Sequence, residues 1–253
     1  LLSMEDFEAF EETDTGLKGY LAEHKDLAKA EQLLDRLKTQ LPFSYSKILQ
    51  REQNWNAVWE SNFQPIQIDN FCGIRAVFHP EIPEVQHEIV IQPKMSFGTG
   101  HHATTFMMIQ MMEEVDFSKK SVWDFGSGTG ILAILAAKMG ATQLLANDID
   151  NWAYDNALEN IQTNNTPHIQ VVHGGLEAVP RHQYDIILAN ITLDVISPAL
   201  PSLYEQLAEN GALILSGFLQ ADIASLSAKA RTLGLRLHAQ RTHSEWACLH
   251  FSK

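Results

Sequence analysis

Residues 122–132 read VWDFGSGTGIL, and the aliphatic run continues to residue 140 as ILAILAAKMG. An apolar stretch closes on Asp124, glycines stand at 126, 128 and 130, and a helix-forming segment follows. Strand, tight loop and buried helix in that order open an α/β unit with a ligand at the carboxyl end of the strand. Two common ligands fit poorly. A phosphate loop needs G-x-x-x-x-G-K-[ST], but Gly126 and Gly130 lack that closing pair and Lys138 comes about two helical turns late. A dinucleotide loop is G-x-G-x-x-G with a pyrophosphate at the helix start, where the Asp124 carboxylate would be repulsive.

A carboxylate beside an ammonium is favourable instead. S-adenosylmethionine carries an ammonium, a sulfonium and no phosphate, and open loop amides suit its carboxylate. The loop therefore points to that cofactor, with Asp124, Gly126 and Gly128 beside it. Asp148 ends the next strand in LLANDID, 24 residues after Asp124, where it can accept from ribose hydroxyls. Asp150 competes for that role and is assigned to capping the following helix.

A second glycine stretch, FGTGHHATT at 97–105, precedes a helix, and Thr105 there suits either ligand binding or capping. His101 and His102 are adjacent, so their side chains diverge. No HExxH or other metal spacing accompanies them, and they read as surface or loop histidines. The strand YDIILANIT ends at Asn190, whose carboxamide oxygen can hold a substrate N–H or serve only a strand-end turn.

Outward from the loop, strands and helices alternate from residue 102 to the end, as a mostly parallel sheet covered on both faces requires. LDVISPALPSLYEQLA reads as a Pro-interrupted helix, and LRLHAQR and EWACLHF close the chain with no helix between them, so one is expected to be antiparallel. Upstream, FEAFEE and LKGYLA flank the turn TDTG as a hairpin, LAKAEQLLDRLKTQL has helical leucine spacing, and FSYSKIL reads as a further strand. Together these make the back end of a ferredoxin-like unit. Trp55, Trp59 and Phe63 recur every four residues until Pro65, which reads as a short amphipathic connector packed on a neighbouring domain. Two strands, GIRAVFH and HEIVIQP, follow it. The expected domains are 1–52, a connector at 53–66, and 67–253. The chain opens on Leu1 rather than Met, so the first domain is expected to be incomplete.

The chain has 253 residues, 45% of them apolar and 19% charged, an ordinary globular balance. No apolar run is long enough for a membrane span. Its two cysteines form no cluster, which suits a reducing cytoplasm and excludes a zinc or disulfide scaffold. The net charge of −13 disfavours direct nucleic-acid binding and favours a basic protein partner.

Four groups of residues, in order, resemble the ribosomal protein L11 methyltransferases, a bacterial branch of the class I S-adenosylmethionine-dependent methyltransferases. They are NWNAVWESNFQPI, MSFGTGHHATT, DFGSGTGILAI with NDIDNWAYDNALEN, and ILANI with the later LILSGFL. The resemblance spans essentially the whole chain, and FGTGHHATT is its most discriminating part. It implies a Rossmann-like seven-stranded sheet of order 3-2-1-4-5-7-6 with strand 7 antiparallel, behind a small ferredoxin-like domain that recognises the substrate. It implies cofactor contacts at Thr105, Gly126, Asp148 and Asn190, and repeated N-methylation of lysine side chains and an N-terminal amine on a basic large-subunit ribosomal protein. A cytoplasmic monomer is expected. The alternatives are a methyltransferase for a small amine or a nucleic acid, a dinucleotide oxidoreductase, and a silent binding module. Asn190 is followed by Ile191 and Thr192 rather than completing (N/D)PP(Y/F), which counts against a flipped base as acceptor.

Overall fold

A computed structural model describes residues 7, 9–13, 16–21, 27–48, 63–92 and 98–253. The chain divides into two compact units, Leu1–Asn54 and Trp55–Lys253. Trp55 and Trp59 of the expected connector lie outside the described residues, whereas Phe63 is buried in the core of the second unit.

In the first unit, β1 (Ala9–Thr13) and β2 (Gly16–Tyr20) form an antiparallel hairpin with Thr13 opposite Gly16. Helix α1 follows at Leu27–Lys38. The strand expected over 43–49 is not formed by its described residues, 43–48. The alternation of FSYSKIL serves the helix instead: Tyr45 donates to Asp35 at 3.2 Å, Lys47 pairs with Glu31, and Lys38 lies over the Tyr45 ring. Hairpin and helix are the described parts of the expected α+β domain.

The second unit contains two sheets. A small one joins β3 (Ile66–Ile68), β4 (Cys72–Ala76) and β5 (His87–Ile91), with β3–β4 antiparallel and β4–β5 parallel. Only three residues long, β3 is too short to show periodicity in sequence. The large sheet has seven strands: β6 (Ser121–Phe125), β7 (Gln143–Asp148), β8 (Ile169–His173), β9 (Tyr184–Asn190), β10 (Leu207–Leu219), β11 (Arg236–His243) and β12 (Trp246–Ser252). Their spatial order is β8-β7-β6-β9-β10-β12-β11, and β12 runs antiparallel to both neighbours. Numbered within the sheet, this is the expected 3-2-1-4-5-7-6.

Alternate residues on the central strands feed opposite faces. Val122, Ile186 and Leu188 pack on one side, with α2 (Ala103–Glu113), α3 (Ile131–Lys138) and the small sheet. Trp123, Ile187 and Ala189 pack on the other, with α5 (Leu193–Gln206) and α6 (Ile223–Leu233). Helix α4 (Asn151–Thr163) adds Ile161 to the first face. Both faces being covered explains why the strands are continuous apolar runs.

Helix α5 is not interrupted at its prolines: Pro198 and Pro201 both lie inside it. Pro201 lacks the N–H that would bond the Ser197 carbonyl. Lys229 of α6 donates its ammonium to that carbonyl and to the Ser197 hydroxyl. Burial of Ile196, Leu200 and Leu203 holds the rest of the helix in place.

Candidate active site

Strand register brings the site together. Asp124 is level with Ala146 of β7 and Leu188 of β9, so two residues further on Gly126, Asp148 and Asn190 stand side by side at the carboxyl edge. Chain order reverses between β7 and β9 on either side of β6, the place where open α/β sheets bind ligands.

The glycine loop is anchored from β7. Gly126 and Ser127 donate their amides to the Asn147 carbonyl at 2.9 and 3.0 Å. The Asn147 side chain in turn accepts from the Trp123 indole at 2.7 Å and donates to the Gly174 carbonyl at 2.8 Å. Gly126 has φ 73°, and a Cβ there would lie 2.2 Å from Ile191 Cγ2. Only glycine at this position lets Ile191 close against the loop.

Asp148 accepts from the Gly128 amide at 2.8 Å with one oxygen and from the Asp150 amide at 3.0 Å with the other. Asp150 caps α4, accepting from the Trp152 amide at 2.8 Å. The two acids thus hold different places: Asp148 lines the cavity beyond the loop, and Asp150 belongs to the helix.

That cavity has a volume of about 350 Å³ and is bounded by Gly98, His102, Thr104, Gly126, Ser127, Gly128, Asp148, Asn190, Ile191 and Trp246, among others. Its described lining includes no lysine or arginine. Asn190 is nearly buried. Its amide nitrogen donates to the Thr105 hydroxyl at 3.1 Å, while Oδ1 has no hydrogen-bond partner among the described residues. The buried Ser127 hydroxyl is likewise unpartnered among them. A buried acceptor and a buried hydroxyl left unmade in a cavity are groups poised for a ligand.

Two expected residues stand behind the wall. Thr105 is fully buried beneath Asn190 and neither faces the cavity nor caps α2. The cap is His102, whose ring nitrogen accepts from the Thr104 amide. Asp124 is also not brought to the cavity: it is 1% exposed and accepts from the Ala133 amide of α3 at 3.1 Å. The carboxylate expected beside an ammonium lies under the loop in this structure. Burial pushes its carboxyl up to about 7, against the Ala133 hydrogen bond and with a further rise from Asp148.

Sequence reading missed His102, Trp246 and Ser127. His102 is half-buried, and its ring meets the Trp246 ring edge-on at 4.7 Å on the cavity wall. The FGTGHHATT motif contained that signal, since a histidine just before a helix can cap it. Trp246 starts the last strand, and no local pattern ties it to the loop.

The absence of a basic residue from the described lining, the unmade Asn190 and Ser127 groups and the Asp148 carboxylate fit S-adenosylmethionine rather than a phosphorylated ligand. Residues 3–253 match the protein-family model for ribosomal protein L11 methyltransferase (PrmA). The chain belongs to the ribosomal protein L11 methyltransferase family. It is an S-adenosylmethionine-dependent methyltransferase, which removes the oxidoreductase and silent-module readings. Relatives bearing the family's name include one from Porphyromonas gingivalis, 39% identical over 97% of this chain and 86% of its own length. Another, from Chlorobaculum parvum, is 39% identical over 88% of this chain and 80% of its own. A crystal structure of ribosomal protein L11 methylase from Lactobacillus delbrueckii subsp. bulgaricus superposes with a TM-score of 0.70 at 26% identity, over 76% of this chain and 99% of that one.

Proposed function

We propose that this member of the family N-methylates lysine side chains and the N-terminal amine of L11, a basic large-subunit ribosomal protein, with Asn190 Oδ1 as the acceptor that orients the incoming amine. The observation that carries this reading is the unpartnered Asn190 oxygen, buried at the cavity wall and fixed by the Thr105 bond. When bound, S-adenosylmethionine supplies the electrophilic methyl group. Asp148 would hold the ribose hydroxyls, Gly126 and Gly128 would admit the ligand close to the backbone, and the Ser127 hydroxyl would meet a polar group of it.

The amine must arrive neutral. An ordinary lysine has a pKa of about 10.4, so deprotonation at pH 7 costs roughly 4–5 kcal/mol. Desolvation in the cavity lowers the amine pKa, and the proton departs to water before attack. Asn190 then accepts one remaining N–H, turning the lone pair toward the methyl donor. A single neutral acceptor leaves the methylated amine free to rotate and react again. His102 and Trp246 form an aromatic side of the same cavity against which the lysine stem packs. The Leu1–Asn54 unit serves substrate recognition, and the enzyme acts as a cytoplasmic monomer without contacting nucleic acid.

Intact-mass spectrometry tests this directly. Large-subunit proteins from unmethylated ribosomes, incubated with the chain and S-adenosylmethionine, should yield stepwise methyl gains on one basic protein. No gain on any of them, with cofactor binding demonstrated, would remove the substrate and leave the fold.

A further inference from the structure

Among the described residues the outer edge of β5 faces no strand, because the small sheet ends there. Helix α4 and its C-cap cover it with three buried asparagines. Asn164 accepts from the Val90 amide at 3.0 Å and donates to the Val90 carbonyl at 2.6 Å. Asn160 accepts from the Gln92 amide at 2.7 Å, and Asn156 donates to the Gln92 carbonyl at 3.2 Å. The match is geometric: four helical residues rise about 6 Å, and two strand residues span about 6.6 Å. The Asn160 and Asn164 side chains, one turn apart, therefore meet alternate residues, Gln92 and Val90.

Asn160 reaches one step further. Its amide nitrogen donates to the Thr129 carbonyl in the glycine loop at 2.9 Å. The Thr129 hydroxyl, fully buried, donates to the Gly98 carbonyl at 2.7 Å. Gly98 lines the cavity beside the glycine loop, whereas neither Thr129 nor Asn160 lines it. A chain of hydrogen bonds therefore runs from the β5 edge through Asn160 and Thr129 to a cavity wall.

We propose that Thr129 and Asn160 are positioning residues for the cofactor cavity, holding Gly98 against the glycine loop so that affinity for S-adenosylmethionine is set by side chains outside the lining. This rests on the cofactor assignment of the same cavity. A hydroxyl that bonds a backbone carbonyl fixes the wall's distance, which apolar packing alone would leave variable.

The full chain is tested as Thr129→Val, which keeps the shape and removes the donor, and as Thr129→Ser, which keeps the donor. S-adenosylhomocysteine binding is measured by calorimetry, alongside KM for S-adenosylmethionine, kcat on the ribosomal protein and thermal melting. Thr129→Val should weaken binding and raise the cofactor KM about tenfold, about 1.4 kcal/mol or one buried hydrogen bond. Its kcat at saturating cofactor should stay within about twofold of the original chain's, since no reacting group is touched, and Thr129→Ser should restore affinity. Unchanged affinity in Thr129→Val overturns the proposal, and so does an equal loss in both variants, since Thr129→Ser keeps the donor. Should Thr129→Val fail to fold, Gly98→Ala carries the test, because a Cβ there would lie 2.8 Å from the Thr129 hydroxyl and push the wall away. Unchanged affinity in Gly98→Ala then overturns it. An unmodified chain that binds no S-adenosylhomocysteine would take down the cofactor assignment, and this proposal with it.

Discussion

Asn190 and Asp124 sit near one another in the sheet and behave oppositely. Asn190 carries a free acceptor into the cavity, so Asn190→Ala should cut kcat roughly 10–100-fold, the loss of one oriented hydrogen bond in the transition state. Cofactor affinity, by contrast, should change less than about threefold in the same variant. Single-turnover kinetics beside calorimetry check the split, and a fall in affinity alone would remove the acceptor role. Asp124 carries its charge cost into the fold instead. Its carboxyl, with an ordinary value of 3.8, holds its proton to about 7 when folded. Between those values the unfolded chain ionises first, so this group's contribution to stability falls as pH rises from about 4 to 7 and is level above that. Asp124→Asn should therefore be more stable than the original chain by roughly 2–4 kcal/mol at pH 8 and by much less at pH 5. Urea unfolding at the two pH values reads this, and an equal difference at both would contradict it.

At the scale of elements, a strand and a helix each depend on a side chain from elsewhere in the chain. At the C-cap of α4, Asn164 satisfies both backbone groups of Val90 in β5. Asn164→Leu fills the same space but leaves two partly buried groups unmade, and should cost roughly 2–4 kcal/mol by denaturant midpoint. In α5, Lys229 replaces the donor that Pro201 cannot supply. Lys229→Met should lower stability by about 1 kcal/mol, measurable in the thermal midpoint. A Pro201→Ala background should abolish that cost, because the helix then bonds Ser197 itself. These elements explain where sequence reading erred. The alternation of 43–49 was a real pattern, but it faced a helix and not a strand edge. The prolines of α5 do not break the helix, and the carbonyl freed by Pro201 is met by a lysine 32 residues away.

For the whole molecule, under the proposed function the net charge of −13 would act at long range on a basic partner and hardly at all on the cofactor cavity. Raising salt from about 50 to 300 mM should lower kcat/KM for the ribosomal protein several-fold, as charge steering is screened. KM for S-adenosylmethionine should remain nearly constant over the same range. A salt-independent kcat/KM would place recognition in apolar contacts.

The amino-acid sequence by itself determined the alternation of strands and helices, the glycine loop, the acid at the end of β7 and the capping of α4 by Asp150. Each of these is local: a period, a turn residue or a cap is written within a few positions, and backbone chemistry reads it directly. Tertiary structure alone decided which polar groups face the cavity. Thr105 and Asn190 are 85 residues apart and meet only because α2 lies over the carboxyl end of β9. Asp124 reads as a ligand beside its loop, yet alternation along β6 and the close approach of α3 bury it. His102 and Trp246 share a wall because antiparallel β12 begins at the edge where the parallel strands end. Burial and partnership are properties of packed surfaces, and those exist only after distant segments have come together.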